Sequence, residues 1–215
     1  MKTIAILTSG GDAPGMNAAV RAAALISMSK GCKVLGIRRG YKGLLDDDME
    51  ELTPQRVTGI LREGGTILGS ARCKQFHDVS VRDSARAILA ERGIEGLVVI
   101  GGNGSLTGAL ALTDPSETDS PIGVVGVPAS IDNDLALTGL SIGVDTAMNT
   151  IVEACDKIAD TATAHDRTFI VEVMGRDCGY LAMTSAIAAG AAKTKNSASE
   201  RMSLGSKGGL RCNRD

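Results

Sequence analysis

The stretch GLVVIGGNGSLTGAL, Gly96 to Leu110, decides the fold of this chain. An apolar run from Leu97 to Ile100 leads into closely spaced glycines, and a helix-forming sequence follows. This order is typical of a buried strand, a tight loop and a helix, and backbone N–H groups at such a helix start bind phosphate. The polar side chain at the tip of the loop is Asn103, a neutral amide. The stretch therefore predicts a phosphate-binding loop that lacks the carboxylate expected beside a metal ion.

The same alternation of apolar run and amphipathic stretch recurs along the chain. Continuous apolar strands separated by helices predict an α/β fold, a doubly wound and mainly parallel sheet with helices on both faces. Ligands of such folds bind at the carboxyl ends of the strands. The predicted strands are 3–8, 33–38, 96–101, 122–127 and 168–173, and the predicted helices are 16–30, 80–92, 105–113, 143–163 and 178–190, with Gly93 as a helix C-cap.

Composition narrows the class of protein. Of 215 residues, 43% are hydrophobic, which is enough for one good-sized core or for one domain and part of a second. Residues 1–190 carry 23 acidic against 17 basic side chains, so we expect no nucleic-acid partner. No apolar run approaches the roughly 18 residues of a membrane span, and the N-terminus is unlike a signal peptide. Five scattered cysteines predict reduced thiols and a cytoplasmic location.

The segment 191–215 differs from the rest of the chain. It contains no Val, Ile, Phe, Tyr or Trp, shows no periodicity and carries 6 basic against 2 acidic side chains. This composition predicts a disordered tail. Because the alternation of helix and strand stops abruptly before the segment, an aberrant continuation, foreign or out of frame, is the alternative.

Two further glycine-rich loops are candidate anion sites. In LTSGGDAPGMNAA (7–19), Gly10 and Gly11 precede a predicted helix, and the alternative is an ordinary strand–helix turn. In EGGTILGSARCK (63–74), Arg72 follows a Gly-rich turn, where a guanidinium suits phosphoryl oxygens, although a surface arginine on a flexible loop is the alternative. Neither loop has the P-loop pattern, which requires Lys-Ser/Thr after the last glycine.

Polar groups follow the last two predicted strands. Ser130, Asp132 and Asp134 come directly after one strand and could position a hydroxyl group, abstract its proton or hold a metal ion, with an Asx-rich turn as the alternative. Arg176 follows the other strand, and Arg167 precedes it. The glycines of the opening loop have the spacing G-x-G-x-x-x-G, one residue longer than the dinucleotide fingerprint, which disfavours a Rossmann oxidoreductase.

Five stretches together resemble one family. TSGGDAPGMNA, GGTILGSAR, VVIGGNGSL, PASIDND and VEVMGRDCGYLA are similar to the N-terminal part of the bacterial-type ATP-dependent 6-phosphofructokinases, in that family's order and near its spacing. The resemblance implies a Rossmann-type three-layer fold. It also implies an incomplete nucleotide-binding domain over 1–141, the start of a sugar-phosphate domain over 142–190, and a tail over 191–215 outside the family pattern.

The resemblance implies transfer of the γ-phosphoryl group of ATP to the 1-hydroxyl of fructose 6-phosphate. Asp132 resembles the general base, and Asp134 resembles its supporting carboxylate. Ser130 stands where the family usually has Thr, and its hydroxyl can reach the sugar and the transferred phosphoryl group. Arg176 resembles an arginine that faces that phosphoryl group. This division of roles fits a reaction that depends on positioning and on neutralisation of charge.

The remaining site residues are also implied by the resemblance. Those near the nucleotide and its phosphates are Gly11, Tyr41, Arg72, Cys73, Gly102, Asn103, Gly104 and Ser105. Those of the sugar-phosphate site are Ser130, Asp132, Arg167, Met174, Gly175 and Arg176. Arg167 resembles an arginine that reaches the sugar phosphate of a neighbouring subunit, which implies a homo-oligomer, a tetramer in the family. Asn103 replaces the usual Asp near the Mg²⁺ of the nucleotide and would offer it an uncharged oxygen.

Two further departures from the family and two alternatives complete the expectations. Small residues at Gly104 and Ala129, where pyrophosphate-dependent members carry Asp and Lys, favour ATP over a pyrophosphate-dependent phosphofructokinase. The family pattern continues well beyond the end of this chain, so we expect weak or no kinase activity, and a non-catalytic nucleotide-binding fragment is the second alternative. Of the effector-site arginines only one is retained, so regulation by ADP or phosphoenolpyruvate is not expected; the four positions are Arg21, Leu25, Pro54 and Ala159.

Overall fold

Two compact units make up the chain, Met1–Ser130 and Ile131–Asp215. The computed structural model describes residues 2–118, 122–191 and 210–212. In the first unit the strands are β1 (Thr3–Ser9), β2 (Lys33–Ile37), β3 (Met49–Glu51), β4 (Gly96–Gly101) and β5 (Gly123–Pro128). Its helices are α1 (Met16–Ser29), α2 (Gly40–Leu45), α3 (Pro54–Thr58), α4 (Val79–Glu91) and α5 (Asn103–Leu112), with 3₁₀ turns at Ile60–Arg62 and Lys74–His77.

The sheet of the first unit positions its loops. The strand order is β3-β2-β1-β4-β5, with β3 antiparallel to β2 and the other pairs parallel. Ser9 lies opposite Gly101, and Gly101 lies opposite Pro128, so three neighbouring parallel strands end at the same edge. The predicted mainly parallel α/β sheet is therefore confirmed, and the loops after these three strands share one edge.

Both faces of the sheet are covered. Ala5 and Leu7 of β1 belong to a buried cluster with residues of α2, α4 and α5. The alternating Ile4 and Ile6 must point to the opposite face, where α1 packs on the sheet. These contacts build the three layers that the apolar strand pattern predicts.

Helix α4 ends as its sequence predicts. Gly93 has a φ of 64°, and its N–H donates to the carbonyl of Ala90 at 2.9 Å. The N–H of Ile94 donates to the carbonyl of Leu89 at 2.9 Å, which completes a Schellman motif. The C-cap prediction is confirmed.

Sequence patterns did not predict the segment between β2 and the loop 63–74. Helix α2 has only six residues and begins at a glycine with a φ of 61°, and β3 has only three residues. Elements this short have no measurable hydrophobic period. Elsewhere the predicted strands and helices are present with shifted ends; α5, for example, begins at Asn103 and not at residue 105.

The second unit contains α6 (Val144–Ala164), β6 (Phe169–Val171), α7 (Tyr180–Ala188) and β7 (Leu210–Cys212). Strand β7 pairs antiparallel with β6, and Cys155 and Ala186 form a small buried cluster. Of the predicted tail, residues 192–209 and 213–215 lie outside the described residues. The compact units divide after Ser130, and the functional boundary at residue 141 stays a prediction.

Two expectations from composition concern the described residues only. In that part of the chain no helix combines the length and the apolar character that crossing a lipid bilayer requires. Among the described cysteines, Cys73 and Cys178 are free thiols, as predicted.

Candidate functional site

The loop after β1 opens the candidate site of the first unit. Gly10 has a φ of 93°, a backbone conformation that favours glycine, and a Cβ added there would lie 3.3 Å from Ser105 Oγ. A Cβ added at Gly11 would have no neighbour within 4 Å among the described residues. Gly10 thus allows the turn, while Gly11 leaves open space beside its backbone.

Hydrogen bonds fix the loop 63–74 to the end of β1. The Thr8 hydroxyl donates to the carbonyl of Gly69 at 2.8 Å, and the Ser70 hydroxyl donates to the carbonyl of Gly10 at 2.7 Å. Arg72 follows Ser70 and Ala71, is exposed, and takes part in no ion pair within residues 2–118 and 122–191. The structure therefore places the Arg72 segment beside the Gly10–Gly11 loop, as a shared anion site requires.

Asn17 also holds the loop 63–74 in place through hydrogen bonds. The sequence analysis did not identify this residue. Its Nδ2 donates to the carbonyl of Glu63 at 3.0 Å, and its Oδ1 accepts from the N–H of Ile67 at 2.8 Å. Asn17 is only 2% exposed and lies beside Met16 at the buried start of α1. An amide among the apolar positions of a helix was the available signal, because buried polar groups need partners.

The Gly101–Ser105 loop lies at the next strand end. A Cβ at Gly101 would lie 2.6 Å from the carbonyl oxygen of Ser9, so glycine allows the close approach of the two strand ends. Gly102 is extended and caps α5, and Ser105 N–H donates to its carbonyl at 3.0 Å. Asn103 and Gly104 lie exposed in the first turn of α5, and a Cβ at Gly104 would meet nothing within 4 Å among the described residues.

Tyr41 supports this loop from the core. Its hydroxyl donates to the carbonyl of Ser105 at 2.6 Å, and its ring stacks on Phe76 with centroids 4.0 Å apart. Burial raises the pKa of the Tyr41 phenol, which keeps it a hydrogen-bond donor. A Cβ at Gly108 would lie 3.1 Å from Tyr41 Cε2, so this third glycine of the loop serves helix packing. Cys73 is partly buried against the same cluster.

Ser130 follows β5 and lies at the same edge. The N–H of Ala129 donates to the carbonyl of Gly101 at 2.9 Å. A Cβ at Gly102 would lie 3.4 Å from Ser130 Cβ. The structure therefore brings together Ser130, the Gly102 loop and the Gly10 loop, three of the sequence-predicted elements.

The second unit holds the paired carboxylates. Asp132 is half-buried, and burial, the nearby charge of Asp134 and that of Asp177 raise its pKa, while the Arg176 guanidinium opposes the rise. A carboxylate with a raised pKa holds a proton more readily, as a general base requires. Asp134 is exposed on the same loop.

Arg176 is presented by a strained turn. Gly175 has a φ of 150°, and a Cβ there would collide with the carbonyl oxygen of Cys178, so only glycine fits. Arg176 has a φ of 47°, and Cys178 N–H donates to the carbonyl of Gly175 at 2.7 Å. Met174 precedes the turn and is 70% exposed. Strain of this kind is characteristic of functional sites.

Arg167 also lies in the second unit, between α6 and β6. It follows the C-terminal turn of α6, where its N–H donates to the carbonyl of Ala162 at 2.9 Å, and its side chain is exposed. Its predicted contact with a neighbouring subunit stays a prediction.

Known proteins similar to this chain belong to one family. The phosphofructokinase family model matches residues 3–196. The chain is 53% identical over 191 residues to an ATP-dependent 6-phosphofructokinase of Thermotoga neapolitana, with 89% of this chain and 59% of the relative covered. The corresponding enzyme of Staphylococcus epidermidis is 54% identical over 191 residues, with 89% and 58% covered.

A solved structure extends the comparison to the fold. The phosphofructokinase of Saccharomyces cerevisiae superposes with a TM-score of 0.83 at 43% identity, over 89% of this chain and 28% of that one. The chain spans about 59% of the length of the bacterial relatives it matches. The family match covers both units of the described structure. The chain belongs to the phosphofructokinase family.

Proposed function

We propose that the protein transfers the γ-phosphoryl group of ATP to the 1-hydroxyl of fructose 6-phosphate. The observation that carries the proposal is the half-buried position of Asp132. Burial and the charges of Asp134 and Asp177 raise the pKa of Asp132, and the Arg176 guanidinium lowers it. Relatives at about 53% identity are named ATP-dependent 6-phosphofructokinases, which supports this substrate pair.

Asp132 takes the proton of the sugar hydroxyl as that oxygen attacks the γ-phosphorus. The P–O bond to ADP breaks, and ADP leaves with the bonding electrons. Asp134 supports the base, the Ser130 hydroxyl orients the acceptor, and Arg176 stabilises negative charge on the transferred group. Phosphoryl transfer depends mainly on such positioning and charge stabilisation. The loops after β1 and β4 bind the nucleotide phosphates through backbone N–H groups, and the loop 63–74 adds the Arg72 guanidinium. The residues with backbone N–H groups in this role are Gly11, Gly102, Gly104 and Ser105.

The sugar phosphate is bound by the turn that presents Arg176, with Met174 and Gly175 beside it. Arg167 reaches the same phosphate from a neighbouring subunit, so the proposal includes a homo-oligomer in the cytoplasm. The exposed position of the Arg167 side chain supports this role, because a residue that serves another subunit cannot be buried in its own.

ATP is the proposed phosphoryl donor, and pyrophosphate is the alternative. A side chain at Gly104 would extend into space that the described residues leave open, where a nucleotide could lie. Ala129 is 4% exposed, which leaves no room for a lysine that would grip pyrophosphate without a shift of the backbone. Tyr41 and Cys73 complete the proposed surroundings of the nucleotide.

Mg²⁺ binds together with ATP in this proposal, and the oxygen ligands that the protein offers fit such binding. Within the described residues no group of three or more His, Cys, Asp or Glu side chains forms a metal cage. Mg²⁺ is usually held by one or two protein oxygens together with substrate phosphates, so a cage is not required. Asn103 would offer an amide oxygen at the start of α5, and the ion would neutralise charge on the phosphates.

Transfer of label from γ-labelled ATP to fructose 6-phosphate tests the proposal. We expect weak but measurable formation of labelled fructose bisphosphate with the parent chain, and at least a 100-fold lower rate with Asp132→Asn, because a general base contributes roughly 10²–10⁴-fold. Asp145→Asn, at an exposed acid in the first turn of α6, is the matched control and should leave the rate unchanged. Equal rates for Asp132→Asn and the parent would contradict the role of Asp132. Nucleotide binding without any transfer would favour the non-catalytic alternative.

A further inference from the structure

Asn133, the amide between the two carboxylates, has both ends of its side chain engaged. Its Nδ2 donates to the carbonyl of Gly139 at 3.1 Å, and its Oδ1 accepts from the N–H of Ser141 at 3.0 Å. Its φ is 50°, in the left-handed region that Asn tolerates better than most residues. One side chain therefore ties the start of the loop 133–141 to its end.

Two leucines of this loop are too exposed to anchor it. Leu137 has a φ of 60° and is fully exposed, and Leu140 is 58% exposed. Ser141, by contrast, is only 4% exposed, so the Asn133 bond attaches the loop to a buried point. The amide of Asn133 thus restrains the backbone on which Asp132 and Asp134 lie.

The restraint matters because Asp132 lies among several charges. Asp134 is on its own loop, and Arg176 and Asp177 face it from the turn before α7. Coulomb energy changes steeply with distance at a few ångströms in a partly buried place. A small rotation of the backbone at Asn133 would change the distances from Asp132 to all three neighbours.

We propose that Asn133 is a positioning residue for the carboxylate pair, which acts through its two hydrogen bonds and touches no substrate. The proposal rests on the role of Asp132 as the base. An aspartate at this position could accept from the Ser141 N–H but could not donate to the Gly139 carbonyl, and it would add a third negative charge. A glycine would keep the left-handed backbone and lose both bonds.

These differences define the test variants. Asn133→Gly removes the clamp without backbone strain, and Asn133→Asp keeps one of its two bonds. Leu137→Gly is the matched control, because it replaces another left-handed residue of the same loop that has no packing. Three quantities are measured in each: hydrogen exchange of the Ser141 amide, the titration of the Asp132 carboxyl carbon by NMR, and kcat and KM for labelled phosphoryl transfer.

For Asn133→Gly we expect the Ser141 amide to exchange about 5-fold faster or more, as loss of one hydrogen bond implies. The titration midpoint of Asp132 should move towards its ordinary value. The kcat should fall roughly 10- to 100-fold with the KM for ATP within about twofold, because misplacement of a reacting group lowers the rate and not the affinity. Asn133→Asp should keep the slow Ser141 exchange but lose most of the kcat. Leu137→Gly should match the parent in all three.

An unchanged titration midpoint of Asp132 in Asn133→Gly would overturn the proposal. A lower melting temperature of that variant would not rescue it, because lost stability alone indicates only a structural role for Asn133. Unchanged Ser141 exchange would overturn it as well. The exchange and carboxyl measurements do not need turnover. If both respond as expected while no variant, nor the parent, transfers phosphate, the clamp stands and the proposed reaction fails.

Discussion

Gly101 and Gly104 lie three residues apart, but a side chain would meet different surroundings at each. A Cβ at Gly101 would lie 2.6 Å from the Ser9 carbonyl oxygen and 2.8 Å from Ser105 Cβ, whereas one at Gly104 would meet nothing within 4 Å among the described residues. We expect Gly101→Ala to lower the free energy of unfolding by about 1–3 kcal/mol, as overpacking does. Gly104→Ala should leave it unchanged or raise it by up to about 1 kcal/mol, since Ala is the better helix former. Urea unfolding of both variants checks this, and equal effects would contradict the two roles.

The neighbours of Asp132 predict two pH shifts of opposite sign. Asp177 raises the pKa of Asp132 and Arg176 lowers it. As the proposed base, Asp132 must be ionised to accept a proton, so Asp177→Asn should move the acid limb of the pH–rate profile to lower pH. Arg176→Gln should move the Asp132 midpoint to higher pH, which the carboxyl carbon signal reports even where the rate is lost. Shifts in the same direction would contradict the assigned surroundings of Asp132.

At the scale of elements, the residue after the C-terminus of α6 has a strained backbone conformation that a substitution can relieve. Asp166 follows the helix with a φ of 49°, and the next N–H, of Arg167, donates to Ala162 in the pattern of a Schellman motif. Glycine is the residue best suited to this position. We expect Asp166→Gly to raise the free energy of unfolding of the second unit by about 0.5–1 kcal/mol, and Asp166→Ala to lower it. Hydrogen exchange of the α6 amides measures both, and stabilisation by Ala would contradict the left-handed cap.

An ion-pair network joins α4 to the segment after α5. We expect its contribution to the free energy of unfolding to depend on pH in the acid range. Arg82 and Arg86 both donate to the Glu117 carboxylate, the second at 2.7 Å, and these bonds lower the pKa of Glu117 to about 2. A pKa depressed from 4.5 gives stability that is fully present above that pH and is lost as pH falls through 2. Glu117→Gln should therefore be less stable than the parent at pH 6 and equal to it near pH 2.

Thermal unfolding at both pH values measures the Glu117 contribution. Glu172→Gln, at an exposed acid of the second unit, is the control and should not differ from the parent at either pH. A difference between parent and Glu117→Gln that stays constant from pH 6 to pH 2 would contradict the linkage.

Sequence patterns predicted those elements whose physics is local. Strands β1 and β4 are recognisable from their apolar runs, and the end of α4 is recognisable from Gly93. Each of these signals depends only on residues that are close in the chain. Short α2 and β3 carry no periodic signal, and their formation depends on packing against distant residues. The supporting roles of Asn17 and Asn133 also depend on tertiary contacts, over 46 to 50 residues for the first and over 6 to 8 for the second.

At the scale of the molecule, the described strands that pair in the five-stranded sheet all belong to the first unit. Strands β1 to β5 pair among themselves, and one large buried cluster lies within residues 5–124. The described part of the second unit has a buried cluster centred on only Cys155 and Ala186. We expect residues 1–130 to fold alone and the second unit to unfold at lower denaturant concentration. Limited proteolysis should leave a resistant fragment that ends near residue 130, and an expressed 1–130 chain without a cooperative transition would contradict this division.

The central claim is that the loops after β1 and β4 hold the phosphates of ATP. Isothermal titration calorimetry of the chain with ATP and with pyrophosphate, in the presence of Mg²⁺, tests it most directly. We predict saturable binding of ATP that is at least about 10-fold tighter than binding of pyrophosphate, little change in Gly104→Ala, and loss of ATP binding in Gly104→Asp, because a carboxylate there repels the phosphates. Tighter binding of pyrophosphate, or ATP binding that survives Gly104→Asp unchanged, would contradict the claim.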